Sequence, residues 1–170
     1  QESSLPTPQN IVIDFETAQW YTVTSGVWER VTSEKYQGQY SLQSWNRTDN
    51  SQSCFEVSSN SQKETELSFY LRVSSENNYD YLRFYVNGSE QGKWSWAVEW
   101  NKKTFTQPAG NNIYRWCYNK DASISSGQDR AWVDLIEIQE VDIIVSEQLD
   151  FEQAGWYTLP TGLWERTNAD

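Results

Sequence analysis

From residue 67 to 73, LSFYLRV, apolar and polar positions alternate without a break. Leu67, Phe69, Leu71 and Val73 fall on one side, and Ser68, Tyr70 and Arg72 on the other. A period of two marks a half-buried strand. DYLRFYV (80–86) runs into Asn87-Gly88, the strongest short-range signal for a tight hairpin, and KWSWAVEW (93–100) is the expected return strand. IYRWCYN (113–119) and AWVDLIEI (131–138) read as further strands, the latter alternating less cleanly through Leu135-Ile136. Helical periodicity is absent throughout. Short strands punctuated by Gly, Asn and Ser predict an all-β chain, an antiparallel two-sheet β-sandwich of jelly-roll type.

The same pattern begins twice. Residues 13–34, IDFETAQWYTVTSGVWERVTSE, align without a gap to residues 149–170, LDFEQAGWYTLPTGLWERTNAD. Asp14, Phe15, Glu16, Ala18, Trp20, Tyr21, Thr22, Gly26, Trp28, Glu29 and Arg30 are identical in the second copy. An offset of this size means whole domains in tandem, well beyond the 20–50-residue units of solenoids. The expected organisation is a lead-in at 1–10, a complete repeat at 11–145, and the start of a second repeat at 146–170.

Composition sharpens this. Ten Trp, ten Tyr and six Phe suit pleated, half-buried surfaces. A net charge of −11 offers no basic footprint for nucleic acid or an anionic membrane, and leaves carboxylates for a hard cation. No apolar run approaches the roughly 20 residues of a membrane span, so no membrane insertion is expected. Without His there is no ordinary zinc site. Cys54 and Cys117 form either a disulfide, in a secreted or cell-surface protein, or two separate buried thiols. Asn46-Arg47-Thr48 and Asn87-Gly88-Ser89 are glycan-acceptor sequons in a eukaryotic secretory pathway.

The segments DFE (14–16), YQGQYSLQS (36–44), SSENNYDYLRFYVNG (74–88) and AWVDLIEI (131–138) together resemble the MAM-like, concanavalin A-like jelly-roll repeats of large multi-domain surface proteins of adhesin type. The resemblance implies first and last strands lying side by side, with a structural calcium held by acids near them. By position these are Asp14, Glu16 and Asp134. The alternative is that Asp14 and Glu16 cap a turn or pair with Arg30. The loop with Asp121, Ser125, Gly127 and Asp129 is a second calcium candidate.

Catalytic signatures are missing. Glu64/Glu66 and Glu137/Glu140 lack the middle aspartate of the E-x-D-x-x-E strand motif of glycosidases with this fold. Retention also needs two carboxylates about 5 Å apart. Without His there is no Ser-His-Asp set and no partner for a cysteine nucleophile. The expected function is therefore binding. Trp20, Trp28, Trp100, Trp116 and Trp132, with Tyr81, Phe84 and Tyr85, read as packing residues. Trp94, Trp96, Trp45 and Tyr79 are the spare aromatics, and alternation puts Trp94 and Trp96 on one face as a sugar platform. The expected partner is a glycan or surface protein. The competing reading is a structural stalk or filament subunit, a homopolymer assembled head-to-tail through residues 146–170.

Overall fold

The computed structural model describes residues 10–46 and 48–141; the expected second repeat lies outside the described residues. Eleven strands follow one another: β1 (Asn10–Ile13), β2 (Thr22–Ser25), β3 (Trp28–Val31), β4 (Ser41–Ser44), β5 (Gln52–Ser61), β6 (Thr65–Ser74), β7 (Tyr81–Val86), β8 (Ser89–Trp94), β9 (Ala97–Gln107), β10 (Gly110–Asn119) and β11 (Arg130–Glu140). They form two antiparallel sheets. One has six strands in the order β3-β4-β11-β6-β9, with β1 also on β11; the other has five in the order β2-β5-β10-β7-β8. This is the all-β two-sheet sandwich that the alternation predicts.

The long central strands send one face inward. Leu67, Phe69, Leu71 and Val73 of β6 and Leu82, Phe84 and Val86 of β7 are buried. At the centre Trp116 stacks on Phe55 with centroids 4.9 Å apart and takes Phe69 edge-on at 5.1 Å. The imperfect alternation of AWVDLIEI has a cause. A bulge between Asp134 and Glu137 breaks the β11–β6 register, with Leu135 in the left-handed region at φ 45°, so Val133 and Ile136 both reach the core. Trp132 is buried on the outer face instead. It pairs in register with Arg72, whose guanidinium covers its ring, and its Nε1 donates to Gln43 Oε1 at 2.7 Å.

Two features differ from the sequence reading. KWSWAVEW is not one return strand: β8 ends at Trp94, Trp96 sits in the link at φ 74°, and β9 begins at Ala97 in the other sheet. Trp20 is not a packing residue but stands 70% exposed.

β1 lies antiparallel beside β11, Ile13 opposite Ile136. The acids near this junction act on the β3–β4 loop. Glu16 Oε1 accepts the amides of Gln39 and Tyr40 at 2.7 and 3.2 Å, and Asp134 Oδ2 those of Tyr36 and Gln37 at 2.9 and 3.1 Å. Gly38, at φ 65°, lets the loop turn between the two carboxylates. The loop is thereby pinned over the outer face of the six-stranded sheet, where Tyr36 stacks on Tyr70.

Candidate functional site on the five-stranded sheet

The outer face of the five-stranded sheet is assembled by register. Thr22 lies opposite Glu56, Glu56 opposite Arg115, Arg115 opposite Tyr85, and Tyr85 opposite Glu90. The next row runs Ser25, Cys54, Cys117, Arg83 and Lys93, and a third joins Gln52, Asn119 and Tyr81. Directly opposed residues in an antiparallel pair share a face. Side chains from five strands therefore meet on one surface.

Over these rows lies an open cavity of about 420 Å³, lined by Thr24, Ser25, Gln52, Cys54, Tyr85, Gly88, Arg115 and Cys117. Its floor is the Cys54–Cys117 disulfide, which staples the two central strands at directly opposed positions. Around it charges are paired. Arg115 Nε donates to Glu56 Oε1 at 2.5 Å, and Arg83 Nη1 to Glu90 Oε2 at 2.6 Å. Arg83 and Lys93 lie 5.0 and 4.8 Å from the Tyr81 ring centroid. Burial raises the Tyr85 hydroxyl above the ordinary tyrosine range, with Arg83 opposing. The Asn119 side-chain oxygen is buried without a hydrogen-bond partner. The surface thus alternates carboxylate acceptors with guanidinium, amide and phenol donors.

The aromatics singled out in the sequence do not share one surface. Trp94 lies opposite Leu82 and turns inward, edge-on to Phe69 at 6.3 Å. Trp96 is exposed, and so is Tyr79 on the β6–β7 loop. Their two loops are tied by hydrogen bonds from Asn78 N to Ser95 Oγ and from Trp96 N to Ser75 Oγ, at 3.0 and 3.2 Å. Trp45 lies elsewhere, under the Arg130 guanidinium at 4.5 Å. Tyr81 and Tyr85, read as packing residues, instead face outward, whereas Phe84 is core.

At the same end as Trp96 and Tyr79, carboxylate oxygens of Glu76, Asp80 and Asp121 lie within 4.8 Å of one another and could hold a metal ion. Glu76 Oε2 is buried without a hydrogen-bond partner. Desolvation, reinforced by Asp121 and Asp80, raises the Glu76 carboxyl above its ordinary value. Beneath lies the buried ammonium of Lys120, 2.6 Å from both Asp129 oxygens and 3.1 Å from Asp80 Oδ2. Asp129 and Ser125, candidate cation ligands in the sequence, are thus partners of Lys120. The acids of the other expected calcium set make hydrogen bonds of their own. Asp14 Oδ1 accepts the Glu16 amide at 3.0 Å, Arg30 binds the carbonyls of Phe15 and Glu16, and Glu16 and Asp134 clamp loop amides. Both sequon amides are engaged as well, Asn46 Nδ2 with Tyr118 O and Asn87 Nδ2 with Asn112 Oδ1.

Solved structures share this architecture. A xylan-binding CBM22-1 domain of Xyn10C from Paenibacillus barcinonensis superimposes with a TM-score of 0.57 at 20% identity, covering 82% of this chain and 99% of that one. The CBM36-1 domain of a multidomain xylanase from the hindgut metagenome of Trinervitermes trinervoides gives 0.50 at 13% identity, over 79% and 100%. TmCBM61, in complex with β-1,4-galactotriose, gives 0.52 at 15%, over 75% and 94%. No family model matches the chain, and no curated protein matches it. The fold is that of carbohydrate-binding-module β-sandwiches.

Proposed function

We propose that the domain is a non-catalytic, extracellular glycan-binding module whose ligand lies along the outer face of the five-stranded sheet. The observation that carries this reading is the groove itself, an open cavity lined by Tyr85, Arg115 and Gln52, on a face whose rows also carry Glu56, paired with Arg115, and the Arg83–Glu90 pair. Sugar hydroxyls both donate and accept, so a surface mixing fixed carboxylates with guanidinium and amide groups suits them. Each cation on the rows is either paired with an acid or set against Tyr81, and the chain carries −11, so a neutral polysaccharide fits better than an acidic one. The disulfide supports an oxidising, extracellular setting. Likeness in fold to modules described with xylan and with galactotriose supports the ligand class. In a tandem adhesin-type array, one such site per repeat would gain strength by avidity. Exposed Trp96 and Tyr79 would extend the contact beyond the Tyr81 end of the groove.

A calcium ion is proposed at Glu76, Asp80 and Asp121, where the orphaned Glu76 oxygen fits a hard cation that takes six to eight oxygens. The Asp14, Glu16 and Asp134 placement remains the alternative. Calcium should raise the melting temperature of the wild type, Glu76→Gln should abolish the rise, and an abolition by Asp134→Asn instead would favour the alternative.

Affinity electrophoresis through neutral and uronate-bearing polysaccharides tests the ligand reading. Retardation by at least one neutral polymer, lost in Tyr85→Ala/Arg115→Ala with the fold intact, is expected. Retardation only by acidic polymers would overturn it.

A further inference from the structure

Trp96 occupies a place where a tryptophan is hard to keep. β8 and β9 are outermost strands of different sheets, and only Ser95 and Trp96 link them. The crossing turns left-handed at Trp96, with φ at 74°. That conformation suits glycine and crowds any L side chain. The core offers little in return, since Trp96 stands 56% exposed, whereas Trp94 two residues earlier packs edge-on to Phe69. Backbone geometry and burial both disfavour a tryptophan here, which leaves its exposed ring as the reason for it.

One buried side chain holds this turn. Ser75, 3% exposed, follows β6 directly. Its Oγ accepts the Trp96 amide at 3.2 Å and donates to the Asp80 carbonyl at 2.9 Å. Its own amide donates to the Trp96 carbonyl at 3.2 Å. Both backbone groups of Trp96 are thus fixed by the same residue. The Asn78 amide, donating to Ser95 Oγ at 3.0 Å, ties the two loops a second time. Trp94 lies opposite Leu82, so Trp96 falls past Tyr81, on the side away from Tyr85. Along β7 that is about 16 Å from the level of Tyr85.

We propose that Ser75 is a positioning residue of the glycan site, fixing Trp96 as its far end, so that the domain prefers a run of several linked sugars to a short oligosaccharide. The inference rests on the glycan reading of the five-stranded face. An indole offers a broad apolar face with a polar edge, which suits the C–H side of a sugar ring. A ring already locked in place has less freedom to lose on contact than a mobile one. Only a ligand long enough to reach from Tyr85 to Trp96 gains that contact.

Calorimetric titration of the full chain with the β-1,4-linked trisaccharides and hexasaccharides of glucose, mannose, xylose and galactose tests this. The wild type is expected to bind at least one hexasaccharide about tenfold more tightly than its trisaccharide. Trp96→Gly should remove that gain while its melting temperature holds or rises, because glycine relieves the left-handed turn. Ser75→Ala should shrink the gain, and Ser75→Thr, which keeps the hydroxyl, should preserve it. In protein labelled with fluorotryptophan, the fluorine resonance missing from Trp96→Gly should move in Ser75→Ala and stay in place in Ser75→Thr. A length-dependent gain that survives Trp96→Gly, or a Trp96 resonance indifferent to Ser75→Ala, overturns the proposal and leaves the glycan reading standing. A wild type that binds none of these sugars and is retarded by no neutral polysaccharide overturns both.

Discussion

Replacing both cysteines by alanine should lower stability by roughly 4 kcal/mol. Cys54 and Cys117 are separated by 63 residues, and the chain-entropy model gives about that much for closing such a loop in the unfolded state. The native state should change little. The two residues sit opposite each other within ten consecutive β5–β10 pairs, so the ladder persists without the sulfurs. The loss thus falls on the unfolded chain. With a urea m-value of about 2 kcal/mol/M, usual for small domains, the midpoint should drop by about 2 M. Urea denaturation of the oxidised wild type and of Cys54→Ala/Cys117→Ala, followed by tryptophan fluorescence, gives the value directly. A loss below about 1 kcal/mol, with the wild type shown to be oxidised, would refute the entropic reasoning. Because the disulfide floors the groove, the variant should also bind glycan more weakly at temperatures where it remains folded.

Other expectations follow from single residues. Gly38→Ala forces a side chain into the left-handed region and places its Cβ on Glu16 Oε1, so it should destabilise by about 2–3 kcal/mol in chemical denaturation. Trp94→Ala should cost about 2–4 kcal/mol, because this ring packs on the core, whereas Trp96→Ala should change stability by less than about 1 kcal/mol. Burial, together with Glu16, raises the folded-state pKa of Asp134 above its unfolded value despite three amide hydrogen bonds. Its contribution is therefore complete below about pH 4 and shrinks as pH rises through the folded value. The stability advantage of wild type over Asp134→Asn, measured by denaturation at several pH values, should fall with rising pH; an advantage that grows would contradict this assignment.

Local signals carried much of the fold. Alternation in LSFYLRV and DYLRFYV specified β6 and β7, and Asn87-Gly88 specified the β7–β8 hairpin, with both residues at positive φ. The same alternation in DYLRFYV sets Tyr81, Arg83 and Tyr85 opposite Leu82, Phe84 and Val86, so the outward direction of Tyr81 and Tyr85, read as packing residues, was present in the pattern but not used. What completes the groove was absent from the pattern. Glu56 and Arg115 meet only because β5 and β10 pair in one particular register, and no pattern within either strand encodes that register. Trp94 and Trp96 misled for a related reason. Strict alternation holds only along one strand, and the chain crosses between sheets at Ser95-Trp96, where the left-handed turn at Trp96 breaks the phase. The exposure of Trp20 was equally hidden, since recurrence in two copies looks the same for a core residue and for a contact residue.

The most direct test of the central claim is a glycan array probed with the wild type and with Tyr85→Ala/Arg115→Ala, each shown by circular dichroism to be folded. The wild type is expected to bind a group of neutral glycans, and the groove variant to lose them. A blank array for the wild type, or binding that survives the loss of Tyr85 and Arg115, would contradict it.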